Sequence, residues 1–256
     1  MEDETKKNNK GFDPSIVIEA IPTTKNKVKT SEMMDSHVIP KHPFRGILSG
    51  CSGSGKSNLL INLLTNKKFY KNYFDVIFLI SPTAGHLDDS YKALEKAKMK
   101  TMLCVINDIT PDVIEDIMDK NKKLILDMKV HKAPRILMCY DDIISDRKLM
   151  NSKSFLHSFV ASRHYNASVL ICTQRYNSVP RVCRLQANCV FFFKGTCSEQ
   201  ERVSEEYCPP NWKKKEFELV VNHCVAEPYA FFYFNGQADA KHRYRKNLTE
   251  ILELQK

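Results

Sequence analysis

The chain has 256 residues, 43% of them hydrophobic, and carries 39 Lys and Arg against 30 Asp and Glu for a formal net charge of +9. That length supports one good core with additions, and no apolar run is long enough for a membrane helix. The moderate basic excess suits a polyanionic partner without requiring one. Nine cysteines are scattered with no C-x-x-C, a pattern that matches no common zinc finger. Cys183, Cys189, Cys197 and Cys208 in particular have no finger spacing. An odd count, with no signal-peptide pattern at the start, predicts free thiols in a reducing compartment.

In chain order, residues 1–42 read as a flexible, Lys-rich arm with one weakly alternating edge strand, Ser15–Ile21. The folded domain is expected over 43–240 and a basic tail over 241–256. Inside the domain, apolar strand-like runs occur at Phe44–Ser49, Val76–Ser81, Met102–Ile106, Ile136–Tyr140, Ser168–Thr173 and Cys189–Phe193. Helical patterns separate them at Lys56–Thr65, Asp88–Lys98, Pro111–Met128, Phe155–Arg163 and Val179–Leu185. Thr110 followed by Pro111 is a helix start, with Thr as cap and Pro at the first helical position. This alternation predicts an α/β fold with a mostly parallel sheet covered on both faces. Past a helical Ser198–Tyr207, Phe217–Asn222 and Tyr229–Phe234 read as two strands of an antiparallel extension at the sheet edge.

The segment Gly50-Cys51-Ser52-Gly53-Ser54-Gly55-Lys56-Ser57 matches G-x-x-x-x-G-K-[ST] at every fixed position. It lies between a predicted strand and a predicted helix, the context in which this pattern cradles phosphate. The glycines let backbone N–H groups turn inward, and the helix start adds orphan donors and a positive dipole end. Gly50, Cys51, Ser52, Gly53, Ser54, Gly55, Lys56, Ser57 and Asn58 are therefore the nucleotide-binding candidates. Lys56 would bring charge to the β- and γ-phosphates of ATP, and the Ser57 hydroxyl can ligate Mg²⁺.

The strand Ile136–Tyr140 ends in Asp141 and Asp142. After a complete P-loop, such a pair is the expected companion: Asp141 for the metal shell and Asp142 to polarise the attacking water. The strand Ser168–Thr173 ends in Gln174, whose amide can donate to phosphate and accept from water. If these two strands flank the P-loop strand, that amide reaches the γ-phosphate. Arg163, just before the second of them, could cap its helix or reach a neighbouring subunit's ATP as an arginine finger. Arg175, Arg181 and Arg184 are rivals for that role, or for DNA phosphates.

With these pieces together, the chain resembles the poxvirus-type genome-packaging ATPases of nucleocytoplasmic large DNA viruses, in the FtsK–HerA superfamily of DNA-pumping motors. Gly50–Ser57, Asp141-Asp142, Ser162-Arg163-His164 and Thr173-Gln174 carry the likeness, over about Phe44 to Phe193. The resemblance implies a RecA-like core, a homo-oligomeric ring, and ATP-driven movement of double-stranded DNA into a preformed capsid. A capsid or portal-vertex component would be a further partner. The host cytoplasm, at the viral factory, or the virion would be the location. Lys56 and Ser57 would then hold ATP and Mg²⁺, Asp141 and Asp142 form the second acidic motif, Gln174 act as sensor and Arg163 as finger in trans. Cellular members of the superfamily usually have Asp-Glu where this chain has Asp141-Asp142. Two other readings compete: a P-loop small-molecule kinase, which would carry an Arg-rich lid, and a nucleotide-dependent scaffold without translocation, in which Asp142 and Arg163 would be expendable.

Overall fold

The computed structural model describes residues 38–82, 91–97, 99–143 and 146–253. The expected arm up to residue 37, with its edge strand Ser15–Ile21, lies outside the described residues, as does the start of the helix expected at Asp88–Lys98.

Among the described residues, nine strands form one sheet: β1 (Arg45–Ser49), β2 (Val76–Ile80), β3 (Met102–Ile106), β4 (Ile136–Asp141), β5 (Ala167–Thr173), β6 (Cys189–Phe193), β7 (Phe231–Asn235), β8 (Tyr244–Lys246) and β9 (Glu250–Ile251). Their order is β3-β2-β4-β5-β1-β6-β7-β8-β9. The first six in that order pair in parallel, and β7, β8 and β9 add antiparallel. Helices are α1 (Lys56–Thr65), α2 (Lys92–Lys96), α3 (Pro111–Met128), α4 (Arg147–Met150), α5 (Lys153–Val160), α6 (Arg181–Gln186), α7 (Cys197–Tyr207) and α8 (Lys214–Cys224).

The central strands read as unbroken apolar runs because both of their faces are buried. In β4, Ile136, Met138 and Tyr140 join one core layer and Leu137 and Cys139 the other. The two layers are covered unequally. Leu60, Leu63 and Leu64 of α1 and Leu94 of α2, with Tyr70, Tyr73 and Phe74, fill one side. Helices α3, α5, α6, α7 and α8 fill the other through Ile114, Phe159, Cys183, Val203 and Phe217. Truncating a buried aromatic such as Phe159 to Ala should cost about 3–5 kcal/mol. The expected start of α3 is observed: Thr110 Oγ1 accepts from Val113 N at 3.4 Å, with Pro111 in the first turn.

Three expectations are corrected. Phe217–Asn222 is not a strand but the middle of α8, which buries Phe217, Val221 and Cys224 and leaves Leu219 69% exposed. That is a spacing of four and three residues, so helical periodicity overrides the strand preference of the Val220-Val221 pair. Secondly, the basic run 241–246 is not a tail, because Tyr244–Lys246 is strand β8, paired with β7. Within it, Lys246 Nζ lies 2.9 Å from Glu227 Oε1. Finally, β4 and β5 do not flank the P-loop strand. β5 pairs with both β1 and β4 and so lies between them.

Candidate active site

The phosphate-loop residues Gly50–Gly55 leave the carboxyl end of β1 and enter α1. Gly50 N donates to Thr173 O at 3.1 Å, which ties the loop's first residue to the end of β5. A Cβ on Gly50 would stand 2.5 Å from Phe193 Cβ and 2.7 Å from Ser54 Oγ, so only glycine fits there. Gly53 and Gly55 have φ of +74° and +100°, which bulkier residues rarely adopt. Lys56 Nζ folds back to donate to Gly50 O at 2.7 Å and Cys51 O at 3.0 Å. The ammonium thus hangs over the loop that would cradle phosphate. Ser54 Oγ is buried in the same loop with no hydrogen-bond partner. An orphaned hydroxyl, a glycine cradle and an overhanging ammonium together fit an anionic phosphate chain.

Asp141 is the last residue of β4, and Asp142 follows it. The Tyr91 hydroxyl, just before α2, donates to Asp141 Oδ2. Burial and the adjacent carboxylate push the Tyr91 hydroxyl's pKa up, which keeps it a donor. Asp142 has φ +55° while its N–H donates to Cys172 O at 3.2 Å. The left-handed turn therefore redirects its carboxylate without detaching its backbone from β5. Gln174, one residue past β5, donates from Nε2 to Asp142 Oδ2 at 3.0 Å and Oδ1 at 3.2 Å.

Clefts surround this cluster. One of about 660 Å³ is lined by Asp142, Gln174, Arg147 and Arg175. A second, of about 400 Å³, runs between Cys51, Ser52, Gln174, Arg175 and Lys194. A third, of about 320 Å³, opens on the other side of the loop, between Cys51–Ser54 and residues 226–230.

Of the expected site residues, the phosphate loop, Asp141, Asp142 and Gln174 gather at the carboxyl ends of β1, β4 and β5, where ligands bind in parallel sheets. Arg163 does not join them. It is exposed in a 3₁₀ turn, Ser162–Tyr165, ahead of β5, near Arg45 at the start of β1, whose pKa is lowered by burial first and by the Arg163 charge second. β5 spans seven residues, so Arg163 stands about 20 Å from the loop of its own chain. Among its rivals, Arg184 is buried, with Nε 3.1 Å from Glu206 Oε1 and an N–H donated to Val179 O at 2.7 Å. Arg181 is exposed at the start of α6, and Arg175 lines the clefts beside the loop. Sequence reasoning missed Tyr91, which no local pattern marks. It also passed over Lys194, whose signal is a cation directly after an apolar strand.

Residues 32–207 match the protein family described as Poxvirus A32 protein. The chain belongs to that family. The matched span of this A32-family chain contains the phosphate loop, Asp141, Asp142, Arg163 and Gln174, and ends before α8 and β7. It is similar to the DNA packaging protein OPG160 of Variola virus, 27% identical over 191 residues that cover 71% of this chain and 64% of that protein. It also resembles OPG160 of Vaccinia virus strain Copenhagen, 26% identical over 183 residues. The chain spans less than two thirds of the length of these relatives. Among solved structures, the genome packaging NTPase B204 from Sulfolobus turreted icosahedral virus 2, in complex with AMP, has a TM-score of 0.56 at 16% identity, covering 82% of this chain and 98% of that one. ATPases 2 and 3 of EssC from Geobacillus thermodenitrificans have a TM-score of 0.54 at 10% identity, covering 81% of this chain and 39% of that one. At those identities the likeness is one of fold: a mixed α/β sheet, mostly parallel, with helices around it.

Proposed function

We propose that this A32-family chain hydrolyses ATP and uses the hydrolysis to drive double-stranded DNA into a preformed viral capsid. The observation that carries the proposal is the Gln174–Asp142 contact, set one strand away from a complete phosphate loop. That contact supports a reading in which the carboxylate serves the attacking water and the amide the terminal phosphate. Family membership and the resemblance to proteins named for DNA packaging support the choice of polymer.

In this reading Gly50 to Asn58 wrap the phosphates, with backbone N–H groups and the start of α1 as donors. Lys56 leaves its carbonyl partners and turns to the β- and γ-phosphates. Ser57 and Asp141 are the side chains that would hold Mg²⁺, which when bound neutralises charge on the phosphoryl oxygens. Tyr91 orients the Asp141 carboxylate. Asp142 accepts a proton from the attacking water, and Gln174 exchanges its bond to Asp142 for one to the γ-phosphate, so the base is released when ATP is present. Arg163 faces away from its own site, so any role in hydrolysis lies at a neighbour's site in a homo-oligomeric ring. Contact with DNA is electrostatic and indifferent to sequence, as a motor that crosses every sequence requires. A capsid or portal-vertex component would anchor the ring, in the viral factory of the host cytoplasm or in the virion.

The test is ATP turnover with and without duplex DNA, at two salt concentrations, on protein of measured oligomeric state. Stimulation by duplex that weakens at the higher salt is expected from an assembled ring. A monomer whose turnover ignores duplex would end the motor reading.

A further inference from the structure

We propose that the cleft between the phosphate loop and residues 226–230 receives the base of the bound nucleotide, with the Tyr229 ring as its stacking face. The inference rests on the ATP reading above and adds to it where the base sits and what holds it. Sheet order supplies the direction. β1, which feeds the loop, has β5 on one side and β6 on the other. Gln174 and Asp142 stand on the β5 side, so the terminal phosphate points there. Ribose and base must then leave the loop on the β6 side.

The cleft of about 320 Å³ lies on that side, within the range of small-molecule sites. Its walls are Cys51–Ser54, the β6 end at Phe193 and Lys194, and the turn between α8 and β7. Tyr229 is 70% exposed although its ring lies against the loop: a Cβ on Gly55 would be 3.3 Å from Tyr229 Cδ1. Its φ of +63° is a conformation that a bulky side chain adopts only when its surroundings enforce it. Those surroundings are visible. Ala230 N donates to Glu227 O at 3.2 Å, and Lys246 of β8 holds Glu227 by its carboxylate. The antiparallel strands thus fix a turn that sets the Tyr229 side chain against the phosphate loop. An exposed, rigidly held ring beside a phosphate site suits a base, because every base has a face to stack. Lys194, at the same rim, is placed for the α-phosphate or ribose.

Calorimetric titration of the full chain with ATP and with inorganic tripolyphosphate, which lacks the base, tests this. Tyr229→Gly keeps the positive φ and removes only the ring. ATP affinity should fall by about tenfold or more while tripolyphosphate affinity stays at the wild-type value, and Tyr229→Phe should bind ATP like wild type. Unchanged ATP affinity in Tyr229→Gly would overturn the proposal, as would equal losses for both ligands, which would mean a collapsed loop. If wild type binds tripolyphosphate no more weakly than ATP, no base site exists, although the phosphate site stands. If it binds neither, the nucleotide reading itself falls.

Discussion

Gln174 donates its side-chain amide to both carboxylate oxygens of Asp142, at 3.0 and 3.2 Å, across the ends of two neighbouring parallel strands. On the proposed reading, the carboxylate that would act as the base is thereby occupied by the amide that would sense phosphate. Removing either partner should have different consequences. Asp142→Asn should lower turnover by about 10²–10⁴-fold, the usual contribution of a positioned base, and accumulate ATP-bound protein. Gln174→Ala should lower turnover as well but leave ATP binding within about threefold, since phosphate affinity rests mainly on the loop. Phosphate release and ATP binding measured side by side check both. Wild-type turnover in Asp142→Asn would remove that residue from the mechanism.

Arg163 faces away from the loop of its own chain, so its contribution should be visible only between subunits. If Arg163 acts as the finger in trans, Arg163→Ala should reduce hydrolysis by about 10³-fold or more, the usual contribution of such a finger, with ATP still bound. Mixing it with Lys56→Ala subunits should restore some activity, because each supplies what the other lacks. Rings verified as mixed by mass spectrometry yet still inactive would exclude the finger.

Gly50 has no room for a side chain. Gly50→Ala should destabilise the fold by about 1–3 kcal/mol, the range for overpacking, because the new methyl group would meet Phe193 Cβ at 2.5 Å. Phosphate affinity should fall with it, since the same atom displaces Ser54. Urea unfolding and tripolyphosphate titration of one preparation would show whether the two losses occur together.

His42 gives the fold a pH dependence of its own. It is buried, with Nε2 3.0 Å from Asn166 Oδ1 and Nδ1 2.7 Å from Ser168 Oγ. Asn166 Nδ2 donates to Ala133 O and Pro134 O, so Asn166 Oδ1 accepts from Nε2–H, and in the neutral ring Nδ1 is left to accept from the serine hydroxyl. Burial lowers its pKa from 6.5 to about 4. The unfolded chain therefore binds the proton first as pH falls, and stability is present above pH 6.5 and lost between there and about 4. At about 1.4 kcal/mol per unit this amounts to about 3 kcal/mol. His42→Gln should flatten that part of the stability profile in denaturant titrations. An unchanged slope would show that other groups set it.

Arg184 and Glu206 form an ion pair with each side chain only 10% exposed. Glu206→Gln should cost about 3–5 kcal/mol by leaving the guanidinium unpaired, while an Arg184→Met, Glu206→Leu double variant should recover most of that loss. Thermal unfolding of the three proteins decides it. Equal losses in the single and double variants would show that packing, and not the buried charge, is what matters there.

Legibility differed by kind of feature. The phosphate loop, the acidic strand end and the parallel strands could be read directly, because each is a local pattern with a local cause: glycine freedom, a cap, an apolar run. The Phe217–Asn222 segment reads as a strand because its valines favour one, and only packing against β7 and β8 reveals the helical spacing of Phe217, Val221 and Cys224. Chain order alone placed the family's motif residues within one segment, including Arg163, and could not separate them by position. Pairing β5 between β1 and β4 did that, bringing Gln174 to Asp142 and sending Arg163 to the far end of the strands. Tyr91 and Tyr229 are remote in sequence from Asp141 and Gly55, and only the folded sheet brings them there. Motif chemistry is written in neighbouring residues, whereas strand order depends on which apolar surfaces pair across long separations, and one-dimensional patterns do not encode that choice.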